Sequence, residues 1–213
     1  VDGVSFAPHG LPDLGNLGAD IYLFSLYKTF GPHQGAMYVR TAVLDQLENQ
    51  AHYFNAGYPE KKLVPAGPDH AQIAAVNGIV DYYEALYAHH SDEKASLSDR
   101  ARYMNDLFAA HEGSLAEKLL ECLRSRNDLR ILGPSIAENR AATIALQTDR
   151  DPVGISEALV DKKIMAGAGH FYAVRVLEGL NVPIDPGVLR LSFVHYTSQA
   201  EIDQLINALD QTL

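Results

Sequence analysis

Asp20-Ile-Tyr-Leu-Phe-Ser-Leu-Tyr-Lys28-Thr-Phe-Gly-Pro-His33 sets one lysine directly after an apolar, alternating run and just before a Gly-Pro break. Ile21 to Phe24 reads as a buried strand, and Gly31-Pro32 ends the element. A lysine at the mouth of such a strand is poorly solvated. Desolvation disfavours the ammonium, and a free amine can form a Schiff base with an aldehyde. The same residue also reads as an ordinary surface lysine at a strand end. The stretch alone leaves both readings open.

Upstream lies Val1-Asp2-Gly3-Val4-Ser5-Phe6-Ala7-Pro8-His9, which reads as a strand end running into a loop. Taken by itself, Asp2 is a strand-end acid that caps a turn. Taken with Lys28, the two segments form a pattern: Asp2-Gly-Val-Ser5, Pro8-His9, then Asp20-x-Tyr22-x-x-Ser25-x-Tyr27-Lys28-x-x-Gly31-Pro32. That pattern resembles the pyridoxal-phosphate site of class V aminotransferases, and within them the cysteine desulfurase and selenocysteine lyase relatives. Their pattern is Asp-Gly-Ala-Gln, Pro-His, then Asp-x-Tyr-x-x-Ser-x-His-Lys-x-x-Gly-Pro.

The resemblance implies an α/β fold of the pyridoxal-phosphate-dependent transferase type (fold type I). The chain would hold the end of the large α/β domain and a complete small α+β C-terminal domain. The expected division is residues 1–95 in the large domain, 96–127 as a linker helix and 128–213 as the small domain. Because the sequence opens within the acid motif, the first half of the usual enzyme would be absent. The expected function is a transferase or lyase acting on a small amino acid, with pyridoxal 5'-phosphate as cofactor and a homodimer as the assembly. The alternative is a non-catalytic folded remnant, or a dimerising domain without cofactor binding.

The resemblance also assigns roles. Lys28 would be the Schiff-base lysine and proton carrier. Asp2 would face the pyridine nitrogen and keep it protonated, which makes the ring a better electron sink. Ser25 and Tyr27 would hold the phosphate, Tyr27 standing where desulfurases carry His. Ser5 stands where the family has Gln, facing the cofactor's phenolic oxygen. Gly67, in Pro65-Ala66-Gly67-Pro68-Asp69, replaces the threonine of a Gly-Thr-Pro-Asn loop that reaches the neighbouring subunit's phosphate. Arg190, in Val188-Leu-Arg190-Leu-Ser192, matches an Arg-x-Ser-x-x-x-Tyr pattern completed by Tyr196. Its guanidinium would bind the substrate carboxylate through two parallel hydrogen bonds. His170 and Tyr172 would shape the substrate pocket. Desulfurases place their persulfide cysteine where Tyr172 stands, and a phenol cannot carry a persulfide. His9 reads as structural.

Composition bounds the remaining classes. The 213 residues suffice for one large or two small domains, and the formal net charge of −10 disfavours nucleic acid or an anionic membrane as partner. No apolar run approaches the roughly 20 residues that cross a bilayer. The single Cys122 excludes an intrachain disulfide, and the cytoplasm is the default compartment. The histidines show no His-x-x-x-His or Cys/His spacing, so no metal site is expected.

The periodicity gives a coarse order of elements. Strands are expected at Ile21–Phe24 and at 35–40, and a helix over 41–53 with Thr41 as N-cap. A loop follows over 54–69, then a helix from His70 to His89 capped by Asp69, and a long helix over 97–125 that kinks near Gly113. Strands are then expected over 129–132, 141–147, 164–166 and 189–193, with helices over 152–162 and 199–213.

Overall fold

The computed structural model describes residues 1–138 and 140–213. The chain divides into two compact units, Val1–Asp106 and Leu107–Leu213.

In the first unit, β1 (Ile21–Ser25) pairs antiparallel with β2 (Gly35–Val39), with Ile21 opposite Val39 and Ser25 opposite Gly35. The open end of this hairpin is closed by Arg40, whose N–H donates to the Asp20 carbonyl (2.8 Å) and whose guanidinium pairs with the Asp20 carboxylate (3.2 Å). On the other side of β1 the chain start runs parallel to it. Asp2 lies opposite Leu23, the Gly3 N–H donates to the Leu23 carbonyl (2.8 Å), and the Leu23 N–H donates to the Val1 carbonyl (3.0 Å). Alternation along β1 turns Tyr22 inward and Leu23 outward.

Short helices fill the rest of this unit. α1 (Leu14–Leu17) is capped by the Asp13 carboxylate. α2 (Thr41–Leu44) is one turn only. The expected helix over 41–53 is therefore corrected. The Lys62 ammonium donates to the Leu44 carbonyl (2.7 Å) and the Asp45 carbonyl (3.3 Å), satisfying the C-terminal carbonyls and turning the chain away. Thr41 is not the cap, because that position is taken by Arg40 without a side-chain bond. The expected loop carries two 3-10 turns, Tyr53–Asn55 and Pro59–Lys61. Asp69 does cap α3 (His70–Ala75), accepting the Ala71 and Gln72 N–H groups. The expected single helix is broken at Val76 into α3 and α4 (Asn77–His90).

α5 (Leu97–Arg124) runs unbroken through Gly113 and contributes residues to both units. In the second unit its buried positions Phe108, Leu115, Leu119 and Leu123 recur every three to four residues, or twice that, on one face. β3 (Leu129–Leu132), β4 (Thr143–Thr148), α6 (Pro152–Asp161), β5 (Gly167–Gly169), α7 (Val174–Gly179), β6 (Val188–Ser192) and α8 (Gln199–Thr212) complete it. The sheet is antiparallel throughout, in the order β3-β4-β6-β5. The strand expected over 164–166 is displaced to Gly167–Gly169, because Ile164 and Ala166 pack against the core while the ladder to β6 begins at Gly167.

The pleat gives this sheet two different faces. Ile144, Leu146, Leu189 and Leu191 point into a core shared with α5, α6 and α8. Val188 and Arg190 point the other way, where Val188 joins a small apolar cluster with Leu177 and Val182. Among the described residues no helix is long and apolar enough to cross a membrane.

Candidate functional site

Lys28 ends a 3-10 turn, Leu26–Lys28, that continues directly from β1. The turn is tied by its own backbone: Thr29 and Gly31 N–H both donate to the Leu26 carbonyl (2.9 Å each), and Leu26 N–H donates to the Gln34 carbonyl (2.9 Å). Thr29 is wholly buried and its hydroxyl donates to the Ser25 carbonyl (3.0 Å). Phe30 adopts φ 62° and packs its ring against Tyr82 of α4, centroids 5.3 Å apart. Left-handed backbone at a phenylalanine is costly, and the packing compensates for it. A fixed backbone thus carries an exposed lysine, which corrects the expectation of a poorly solvated one: the strand ends before it and the turn lifts it out. Among the described residues the Lys28 ammonium has no hydrogen bond or ion pair.

Asp2 leaves the sheet at the same end. It stands opposite Leu23 in parallel pairing, and the chain then turns through Gly3–Phe6. Asp2 and the Lys28 turn both lie where their parallel segments end. One Asp2 carboxylate oxygen accepts the Val4 N–H (3.0 Å), and the exposed group has no cationic partner among the described residues. Beside it the Tyr22 hydroxyl is buried without a hydrogen-bond partner. Burial, and then the negative charge of Asp2, push the Tyr22 phenol above its ordinary range.

The other expected cofactor residues of this unit are placed as follows. Ser25 is the half-buried last residue of β1. Tyr27 is exposed and stacks on His33, centroids 4.8 Å apart and planes 9° apart. Ser5 is exposed in the turn after Asp2. Gly67 lies in the exposed loop before α3, with open space where a Cβ would stand. His9 is buried, and the loop after it is pinned by Asn105 of α5, whose amide accepts the Leu11 N–H (3.1 Å) and donates to its carbonyl (2.6 Å).

In the second unit Arg190 lies on β6 between two small neighbours, Ala145 on β4 and Gly167 on β5. It is half-buried, and burial lowers its guanidinium below the ordinary value. No carboxylate pairs with it among the described residues. The neighbour of its charged head is the Phe171 ring, 3.9 Å from the guanidinium carbon to the centroid. His170 and Tyr172 flank that phenylalanine, with the Tyr172 N–H donating to His170 Nδ1 (3.1 Å). Tyr172 is 98% exposed.

The aminotransferase class-V family model matches residues 68–205. The chain belongs to the aminotransferase class-V family. An aminotransferase-like protein of Gibberella zeae, FGM3, is 32% identical over 221 residues, covering 100% of this chain and 51% of that protein. A probable cysteine desulfurase of Pseudomonas putida is 29% identical, covering 100% of this chain and 50% of that one. Among solved structures, the cysteine desulfurase CsdA of Escherichia coli superposes with a TM-score of 0.74 at 21% identity, covering 100% of this chain and 50% of the other. The apo cysteine desulfurase of Thermococcus onnurineus gives 0.76 at 19% identity, over 99% and 51%. These two show the fold, which is that of the fold type I pyridoxal-phosphate enzymes. The chain spans about half the length of the relatives it matches.

Within this class-V chain, Asp2, Ser25, Tyr27 and Lys28 belong to the first unit, and His170, Tyr172 and Arg190 to the second. Sequence reasoning missed Phe171 and Asn105. Phe171 sits in the segment already singled out for His170 and Tyr172, but which aromatic turns toward Arg190 depends on backbone dihedrals. Asn105 sits in a helical run where an amide carries no distinguishing signal.

Proposed function

We propose that this chain carries the lysine, acid and carboxylate-binding arginine of a pyridoxal-phosphate-dependent enzyme acting on a small amino acid. The observation that carries the reading is the pair Asp2 and Lys28: a carboxylate and an amine, each without an ion-pair partner among the described residues, at the same end of two parallel segments. The donor set fits the cofactor. An amine suits its aldehyde, a carboxylate its pyridine nitrogen, and the hydroxyls of Ser25 and Tyr27 its phosphate. When bound, the cofactor would supply an electron sink for the substrate's α-carbon.

The chain's own residues do the rest. Lys28, on its tied turn, would hold or move a proton at its Nζ. Asp2 would keep a proton on the ring nitrogen through its charge. Arg190 would orient the substrate by its carboxylate, and its burial strengthens that attraction by excluding water. On the resemblance, Tyr172 would stand where desulfurases carry cysteine. Cys122 lies on α5, and burial first, then the charge of Asp210, raise its thiol above the ordinary value. A thiol held protonated is a poor nucleophile, so the reading is chemistry on the amino group rather than sulfur transfer through a persulfide. A homodimer is proposed as the working assembly, on the resemblance of the 65–70 loop.

The test is to add pyridoxal phosphate to the purified chain, record the visible spectrum, reduce with borohydride and map the modified peptide. A shifted band with the label on Lys28 supports the reading. No band, or a label spread over surface lysines, defeats it for this chain and favours a folded piece without cofactor binding.

A further inference from the structure

We propose that Phe171 is the positioning residue for the substrate carboxylate, its ring covering one face of the Arg190 guanidinium so that the N–H edge is presented outward. The inference rests on the carboxylate-binding reading of Arg190 and deepens it.

Arg190 is poorly supported by everything except that ring. Its strand neighbours Ala145 and Gly167 are too short to wall in a guanidinium. No acid among the described residues holds it. An arginine in that situation samples many rotamers, and a ligand that fixes one of them must offset the lost freedom. Phe171 removes much of that cost beforehand. Its centroid lies 3.9 Å from the guanidinium carbon, close enough for a stacked cation–π contact. A planar fork held by its face keeps its edge free, and the edge carries the parallel donors that match a carboxylate.

The surroundings are built to put the ring there. A Cβ on Gly167 would stand 2.9 Å from Phe171 Cε1 and Cζ, so a larger residue there would displace the ring. Phe171 and Tyr172 both adopt left-handed backbone, φ 49° and 61°, which is uncommon for non-glycine residues and rarer still in succession. The turn is held by Tyr172 N–H donating to His170 Nδ1 (3.1 Å) and Ala173 N–H donating to the His170 carbonyl (2.8 Å). Its effect is to send Phe171 inward against the Leu177, Val182 and Val188 cluster, and Tyr172 outward.

The test needs no cofactor. The side-chain Nε–Hε signal of Arg190 is followed by NMR in the full chain and titrated with propionate as a simple carboxylate. In the wild type the signal is expected upfield, shifted by the Phe171 ring, and to move saturably with propionate. Phe171→Leu should lose the upfield shift and weaken propionate binding about three- to tenfold, the range a cation–π contact supplies. Phe171→Tyr, which keeps a six-membered ring in the same place, should retain both. Gly167→Ala, which pushes the ring away without removing it, should act in the direction of Phe171→Leu and keeps the test open if that variant fails to fold. An unshifted wild-type signal overturns the stacking. Equal propionate affinity in wild type and Phe171→Leu overturns the positioning role and leaves Arg190 as the carboxylate site. A wild-type Arg190 signal that ignores propionate overturns the carboxylate reading itself, and this inference with it.

Discussion

Tyr27 and His33 stack nearly parallel, planes 9° apart, from opposite sides of the Gly31-Pro32 bend that follows Lys28. Each is exposed, so the stack acts mainly to limit the rotamers of the other. If Tyr27 donates its hydroxyl to the cofactor phosphate, Tyr27→Phe should weaken pyridoxal phosphate binding about tenfold, as expected for one hydrogen bond to a charged group. His33→Ala should weaken it less, by releasing Tyr27. Neither should alter the affinity for pyridoxal, which lacks the phosphate. Equal losses for both ligands in a spectral titration would remove Tyr27 from the phosphate site.

Gly3 and Tyr22 are packed so closely that a Cβ on Gly3 would stand 2.0 Å from the Tyr22 hydroxyl oxygen and 2.1 Å from Cζ. Gly3→Ala should therefore destabilise the chain by about 2–3 kcal/mol, the upper range for overpacking. Tyr22→Phe should not rescue it, because the ring carbon clashes as well. Tyr22→Val should. Urea midpoints of the two double variants decide between these outcomes.

The Tyr22 hydroxyl also predicts a limit at alkaline pH. Its phenol is raised in the folded state, by burial first and by Asp2 second. The folded chain therefore holds a proton that the unfolded chain has released. This contribution is whole below the ordinary tyrosine value of about 10 and is lost as pH rises through the raised folded value. Tyr22→Phe leaves no unpartnered hydroxyl and no titration. It should be neutral or mildly stabilising at pH 7, and its stability should fall less steeply above pH about 10. Matched slopes for wild type and variant in that range would show that Tyr22 is not the group responsible.

Much of this architecture was legible in the residues. The Ile21–Ser25 strand, the Asp69 cap and the long α5 helix each carry a local signal: alternation, a capping acid, or a face repeating every three to four residues. The losses are of another kind. α2 ends early because Lys62 reaches back to Leu44, a contact across 18 residues that no window of sequence contains. The break at Val76 has no proline or glycine at the break itself to announce it. At the candidate site the spacing from Asp2 to Lys28 was visible as a pattern. The Phe171–Arg190 contact was not, because it depends on strand register and on a left-handed phenylalanine.

Ser198 and Glu201 form a capping box at the start of α8, Ser198 accepting the Glu201 N–H while the Glu201 carboxylate accepts the Ser198 N–H. Those bonds hold the Glu201 carboxyl below its ordinary value, the backbone N–H of Ser198 first and its hydroxyl second. A depressed carboxyl contributes stability that is whole above the ordinary value of about 4.3 and is lost as pH falls through the lowered one. Ser198→Ala should cost about 1 kcal/mol at pH 7, a usual figure for a lost cap. Glu201→Gln should flatten the acid limb of the stability profile and leave the alkaline limb alone. A thermal-melt series from pH 2 to 7, with an acid limb unchanged by Glu201→Gln, would assign the acid sensitivity elsewhere.

Gly31 offers the sharpest separation of site from fold. A Cβ there would stand 2.5 Å from Ile79 Cδ1 and 3.0 Å from both Ile79 Cγ1 and the Leu26 carbonyl oxygen. The first two contacts are with a side chain that can move; the third is with the carbonyl that ties the Lys28 turn. Gly31→Ala should cost about 1–3 kcal/mol by overpacking and should also displace the turn. Trimming the far side with Ile79→Val removes the Cδ1 clash and should return part of the stability. It should not return cofactor labelling at Lys28, because the Leu26 contact remains. Borohydride labelling and urea unfolding, run on the single and double variants, separate the two effects. Full recovery of both together would mean that the Ile79 contact alone sets the turn, and that the Leu26 carbonyl adapts.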